Sequence, residues 1–107
     1  MSSNVVERAK NAYDYPLLIK QLLYTPLATA PNQVIVYRDL ARHTYREMRE
    51  RIGQLASGLS KLGVKPGDTV AMMDWDSHRY LECFFAVPMM GSVLLTVNVR
   101  LNPEQIL

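Results

Sequence analysis

A single cysteine, Cys83, in 107 residues leaves no intramolecular disulfide to form. With no charged-then-apolar leader at the amino terminus, that usage fits a reducing compartment, and the expected location is the cytoplasm. Long hydrophobic runs are scarce. The longest, residues 83–95, is interrupted by Pro88, Gly91 and Ser92 and falls short of the ~18 residues of a membrane span, so no transmembrane segment is expected. Charge of one sign is not in excess either: 12 Lys and Arg against 10 Asp and Glu give a formal net charge of +2, too little to imply a nucleic-acid partner. His43 has no second histidine, cysteine or carboxylate at ligand spacing, so it reads as an exposed strand-end residue and not as a metal ligand. Gly63 and Gly67 lack the lysine and hydroxyl that complete a phosphate loop, and no glycine-rich turn opens directly into a helix as a dinucleotide site requires.

What is present is globular. At 49% hydrophobic and 21% charged, the chain has the composition of one modest domain and not of a disordered segment. Its organising stretch is residues 44–73. Thr44 followed three positions later by Glu47 is a capping box, in which each side chain satisfies the other's free backbone N–H, so a helix is expected to start at Tyr45. Met48, Ile52, Leu55, Leu59 and Leu62 form one apolar stripe along it. Arg46 with Glu50, and Glu47 with Arg51, fall at the i, i+4 spacing of surface ion pairs on the other side, which makes the arginine cluster a solvated face. Gly63 suits the left-handed position that ends a helix, Pro66-Gly67 supplies a turn, and residues 69–73 read as a short buried strand.

Upstream, residues 1–14 are polar and patternless and are expected to fray. Pro16 suits a first helical position, and Leu18, Ile19, Leu22 and Leu23 repeat at helical spacing up to Pro26. Residues 25–33 read as a loop. Val34-Ile35-Val36-Tyr37, a turn at Arg38-Asp39, and residues 40–43 read as a hairpin.

Downstream, Asp74-Trp75-Asp76-Ser77-His78 follows the carboxyl end of a buried strand, where ligands collect in open α/β sheets. It is the best local candidate for a functional loop, although capping by Asp76 or Ser77, with Trp75 packed under the turn, explains it more simply. A helix over residues 77–90 carries Leu81, Phe84, Phe85 and Pro88 on its core face, widened by Tyr80 and Val87, and encloses an inert Cys83. Residues 92–97 are apolar enough for a strand buried on both faces. Strand, helix and strand in this order give a parallel pair, hence an α/β fold. At the end of the sequence Asn102 is a good N-cap, Pro103 fits the first helical position and Glu104 suits the positive end of the helix dipole. That start signal implies a continuation past Ile106-Leu107, since so short a helix cannot offset its nucleation cost.

Two segments carry a resemblance to a known family. Tyr45-Arg46-Glu47-Met48 and the run Leu62-Gly63-Val64-Lys65-Pro66-Gly67-Asp68-Thr69-Val70-Ala71 resemble the beginning of the adenylate-forming enzymes, which include acyl-CoA synthetases, luciferases and peptide-synthetase adenylation domains. Residues 80–94, with Asn98-Val99-Arg100-Leu101 after them, are similar to the medium- and long-chain fatty acyl-CoA synthetases. The resemblance covers residues 15–107 and implies a truncated amino-terminal α/β subdomain with a β-hairpin and a parallel strand-helix-strand unit. The fatty-acyl branch often has a tryptophan and an asparagine near position 75, and this sequence has Trp75-Asp76. The resemblance implies a parent ligase that uses ATP, Mg2+ and CoA. The family's phosphate-binding loop, acidic metal- and ribose-binding residues and catalytic lysine all lie beyond Leu107. No catalytic, cofactor-binding or metal residue therefore maps onto this chain, which is expected to be inactive alone, with the remainder of the parent as its partner. Its uncovered strands favour self-association. The alternatives are a free-standing α/β interaction module without chemistry and a flavodoxin-like nucleotide domain, the latter disfavoured by the missing glycine loop.

Overall fold

A computed structural model describes residues 5–14 and 17–106. The elements run α1 (Gln21–Thr29), β1 (Val34–Tyr37), β2 (Ala41–Thr44), α2 (Tyr45–Lys61), β3 (Thr69–Met72), α3 (His78–Met89), β4 (Val93–Thr96) and α4 (Pro103–Ile106). They make an antiparallel hairpin, β1 with β2, and a parallel pair, β3 with β4, connected through α3.

α2 starts where its cap requires. Glu47 N donates to Thr44 Oγ1 at 3.1 Å, and Thr44 N donates to Glu47 Oε1 at 3.4 Å, so the box closes from both sides. Two further donors at this end, Tyr45 N and Arg46 N, reach Gln33 O and Pro31 O, each at 3.1 Å, which pins the helix to the loop before the hairpin. At the other end Gly63 adopts φ 101°, the left-handed geometry that a side chain would strain. Met48 and Ile52 are buried, Leu55 and Leu59 half-buried. Leu62 does not continue the stripe: it is the C-cap itself and is exposed.

α1 differs from the expected helix. The anticipated start at Pro16 lies outside the described residues, and the helix runs through Pro26 to Thr29, so the following loop is shorter than residues 25–33. Proline removes one donor, but its own carbonyl still accepts from Ala30 N at 2.9 Å, and Thr29 Oγ1 donates to Thr25 O at 2.7 Å. Of its expected apolar stripe only Leu23 is buried.

The hairpin pairs Val34 with Thr44 and Tyr37 with Ala41. Leu40 belongs to the turn and not to the second strand, because Leu40 N closes onto Tyr37 O at 3.1 Å while Arg38 takes φ 48°. In the parallel unit Thr69 lies beside Val93 and Met72 beside Thr96. The two strands start together because the turn before β3 is bonded to the one before β4. Gly67 N donates to Gly91 O at 2.8 Å, Ser92 Oγ to Lys65 O at 3.0 Å, and Val93 N to Asp68 O at 2.8 Å.

Leu23, Met48, Ile52 and Ala86 form the core where α1, α2 and α3 meet, with Ile35, Leu55, Leu81 and Phe85 packed against it. The buried face of α3 is rotated from the expected one: Tyr80, Glu82, Cys83, Ala86 and Val87 are buried, while Phe84 is 47% exposed. α3 is sandwiched, its Ala86 and Glu82 turned to α2 and its Cys83 to β3, where Cys83 Sγ lies 3.8 Å from Met72 Sδ. Phe84 falls between these directions and instead lies beside Tyr80, ring centroids 5.3 Å apart.

Glu82 was not anticipated as buried. It binds Arg51 of α2, with Arg51 Nε 2.5 Å from Oε1, and this replaces the expected surface pair of Arg51 with Glu47. Glu47 is instead occupied by its cap. β4 is also less covered than its composition led us to expect, since Val93 and Leu95 are 55% and 52% exposed. The radius of gyration, 17.0 Å, exceeds the about 13 Å of a compact domain of similar length, in keeping with an open arrangement.

Candidate functional site

The carboxyl ends of β3 and β4 open into a cleft of about 350 Å³. The ladder extends one bond past the strands, Val97 N to Met72 O at 2.9 Å, and the two chains then diverge. Residues 74–76 form one wall and residues 96–100 the other, with Tyr80 between them; of the candidate loop, Ser77 and His78 are not on the lining. The first wall is held by Asp74, which accepts from Trp75 N at 2.8 Å and from Ser77 Oγ at 2.6 Å. Ser77, not Asp76, caps α3 by accepting from Tyr80 N at 3.3 Å. The second wall turns at Asn98, whose Oδ1 accepts from Arg100 N at 2.9 Å.

Trp75 does not pack under the turn as the sequence implied. It is exposed, with the Arg100 guanidinium 6.0 Å from its ring centroid. Sequence reasoning missed Arg100 as a cleft residue; the available signal was an Asn two residues before an Arg at the end of an apolar strand, a local turn former. The cleft thus combines one cation, the carboxylates of Asp74 and Asp76, and the polar groups of Thr96, Asn98 and Tyr80. Such a set can position a polar ligand by hydrogen bonds. Among the described residues, no group of three or more His, Cys, Asp or Glu could hold a metal ion.

His43 is half-buried, not exposed, because α3 brings His78 against it. Their ring centroids are 5.7 Å apart, and Tyr37 lies 5.4 Å from His78 on another side. His78 Nδ1 is buried without a hydrogen-bond partner among the described residues. Burial lowers the His78 pKa from 6.5, with Arg51, His43 and Arg79 acting in the same direction and Glu82 opposing them. Cys83 is buried as expected. Its thiol is pushed up by burial and then by the Glu82 and Asp74 carboxylates, which disfavours the nucleophilic thiolate.

A hairpin feeding a capped helix, then a parallel strand-helix-strand unit with a polar cleft at its strand ends, is a scaffold subdomain of the adenylate-forming type. The chain belongs to the AMP-binding enzyme family, whose model matches residues 24–107. It is similar to a long-chain-fatty-acid–CoA ligase of Thermus thermophilus, 47% identical over 68 residues, which are 64% of this chain and 13% of that ligase. Among solved structures it resembles a Rhodopseudomonas palustris protein assigned as a long-chain-fatty-acid CoA ligase, with 34% identity and a TM-score of 0.73 over 83% of this chain and 23% of the other. The N-terminal subdomain of Klebsiella oxytoca NpsA superposes with a TM-score of 0.74 at 25% identity, over 83% of this chain and 23% of that one. The chain therefore spans only a small part of the length of the relatives it matches.

Proposed function

We propose that this chain is the amino-terminal scaffold of a fatty acyl-CoA ligase and performs no chemistry alone. The parent joins a carboxylic acid to AMP with Mg-ATP and passes the acyl group to CoA in the cytoplasm; the remaining segments of that parent are this chain's natural partners. Family membership over residues 24–107 carries the reading. The state of the carboxylates supports it: Asp74 is bonded within its loop, Glu82 to Arg51, Glu47 to its cap and Asp68 to Lys65 N. Adenylate formation requires donors and a metal around the triphosphate as pyrophosphate leaves, and these acids are already committed to structure.

The test is acid-dependent ATP–pyrophosphate exchange with a panel of fatty acids. The 107-residue chain alone gives no exchange, and the intact parent gives exchange and then acyl-CoA. Exchange by the chain in a preparation free of other ligases refutes the scaffold reading, and a parent that forms no acyl-adenylate refutes the ligase assignment.

A further inference from the structure

Both histidines of the sequence come together where the hairpin meets α3. His43 stands on β2 and His78 is the first residue of α3. Their ring centroids lie 5.7 Å apart, with the planes inclined by 44°. Packing against Tyr37 and His43 accounts for the ring contacts of His78, but it leaves Nδ1 buried with no hydrogen-bond partner among the described residues. A buried imidazole nitrogen is satisfied by a hydrogen bond or by a metal ion. On the other ring one nitrogen already faces a carboxylate: Glu47 Oε2 is 3.9 Å from His43 Nδ1, while Glu47 Oε1 serves the cap of α2. A carboxylate on that side favours the proton on Nδ1 and leaves Nε2 with a free lone pair, the arrangement found behind metal-bound histidines.

The spacing of the rings suits one shared ion. A zinc-type ion sits about 2.0 to 2.1 Å from an imidazole nitrogen and so roughly 3.2 Å from the ring centroid. Two rings on one such ion then have centroids about 5.2 Å apart at the tetrahedral angle and about 6.4 Å apart when the two bonds are opposed. The 5.7 Å between His43 and His78 falls between these limits. Two neutral imidazoles select a borderline transition ion over Mg2+ or Ca2+, which take oxygen ligands. No third His, Cys, Asp or Glu completes a metal-binding group among the described residues, so water takes the remaining positions. The His43 side chain is 23% exposed, which leaves that flank open to it. Charge around the pair is mixed, Glu47 and Glu82 against Arg51 and Arg79, so ligation and not the local field supplies the affinity. We propose that His43 and His78 form a two-imidazole site for a divalent ion of zinc type, which clips β2 of the hairpin to the first turn of α3. Sequence spacing argued against His43 as a ligand because its partner stands on another element. Neither ring lines the cleft at the strand ends, so the site stands whether or not the parent is a ligase.

The chain is stripped of metal with a chelator, and its histidine ring signals are followed by NMR as ZnCl2 is added, with MgCl2 as the control. The sequence holds two histidines, so the ring signals report this pair alone. Saturable shifts of both rings, with one ion bound per chain and no response to Mg2+, are expected. His43→Gln and His78→Gln should each weaken Zn2+ binding by about tenfold or more, since even an outer-shell partner of a metal-bound histidine is worth about 10- to 100-fold. Zn2+ should also raise the urea midpoint of the wild-type chain and leave that of either variant where it was. If His78→Gln does not fold, His43→Gln, on the half-buried strand position, carries the test, and the wild-type spectra decide without either variant. No saturable shift below about 1 mM Zn2+, a shift confined to one ring, or binding that survives both substitutions overturns the proposal, the last by placing the ion on Cys83 or the terminal amine.

Discussion

Replacing Arg51 with alanine should be among the most damaging changes to a charged residue in this chain. The reason lies in what is left behind: Glu82 is only 7% exposed in its side chain, and the Arg51 guanidinium is its ion-pair partner. Stripping the partner from a fully buried pair costs about 3 to 5 kcal/mol, whereas an exposed pair is worth about 1 kcal/mol or less. This pair is intermediate. Arg51 is 37% exposed, and its second contact, Nη2 to Glu82 Oε2, is long at 3.4 Å. Water can enter beside the arginine but reaches the carboxylate poorly, so the expected loss is about 2 to 3 kcal/mol. For a domain of about 100 residues that lowers Tm by roughly 10 to 20 °C. The assay is urea and thermal unfolding followed by far-UV circular dichroism, with Arg49→Ala as an exposed control. The double variant Arg51→Met with Glu82→Leu should recover most of the loss, because it removes the unpaired charge and keeps the volume. If Arg51→Ala costs no more than Arg49→Ala, or the double variant is as unstable as the single one, the pair does not join α2 to α3 as described.

Thr44→Ala removes a cap bonded from both sides and should cost about 0.5 to 2 kcal/mol in the same unfolding assay, while leaving the helix content of α3 intact. His78 gives a pH signature. Its folded pKa lies below the unfolded 6.5, so the unfolded chain takes up the proton first. Its stabilising contribution is complete above about 6.5 and is lost as pH falls through the lower folded value. Urea midpoints should therefore drop on acidification from pH 7 to 5, and His78→Phe should flatten that slope; an unchanged slope removes His78 as its source. The exposed Val93 and Leu95 should drive self-association at micromolar concentration, seen as a dimer or larger species by sedimentation; Leu95→Lys should return it to monomer, and a wild-type chain that stays monomeric contradicts the expectation.

The parts of the fold legible in the sequence were those written in neighbouring residues. Thr44 and Glu47, Gly63, and Asn102 with Pro103 each specify a helix boundary within a few positions, and each boundary stands where its cap puts it. Asn102 Oδ1 accepts from Gln105 N at 2.9 Å, as its N-cap role requires. Long-range features were hidden. Nothing in the residues around Glu82 signals burial, and only the packing of α3 on α2 places it beside Arg51, 31 positions away. His43 does have a carboxylate within reach in sequence, Glu47 four positions on, whose Oε2 lies 3.9 Å from His43 Nδ1, contrary to the expectation that none stands at that spacing; its second neighbour, His78, arrives from another element. Hydrophobicity places Phe84 inside, but α3 meets α2 on one side and β3 on another, Phe84 is on neither, and a periodic pattern cannot say which apolar position is left in solvent. The sequence suggests a stop at Pro26, but α1 carries Pro26 as its sixth residue and ends only three residues later at Thr29, where Ala30 N bonds back to Pro26 O.

The misreading of β4 is the most instructive, because composition and structure disagree there for a physical reason. Val93-Leu94-Leu95 is written for a strand covered on both faces, as in parallel sheets layered by helices on either side. α3 supplies one cover: Val70, Met72 and Leu94 are half-buried on that side. Val93 and Leu95, one position out of phase, lie on the opposite face and are exposed. Two large aliphatic side chains at alternate positions have no reason to persist on a solvated face, where threonine or lysine serves a strand as well. Their presence is explained if a second layer packs there, and the relatives have the length to supply one, since the matched portion is 13% of the Thermus ligase. The same face, left open, is what the sedimentation experiment probes. A chain bearing its second layer should bury Leu95, so that Leu95→Lys, harmless to the fold of this chain alone, should destabilise the parent by about 2 to 4 kcal/mol. Equal tolerance in both contexts would place the second layer elsewhere.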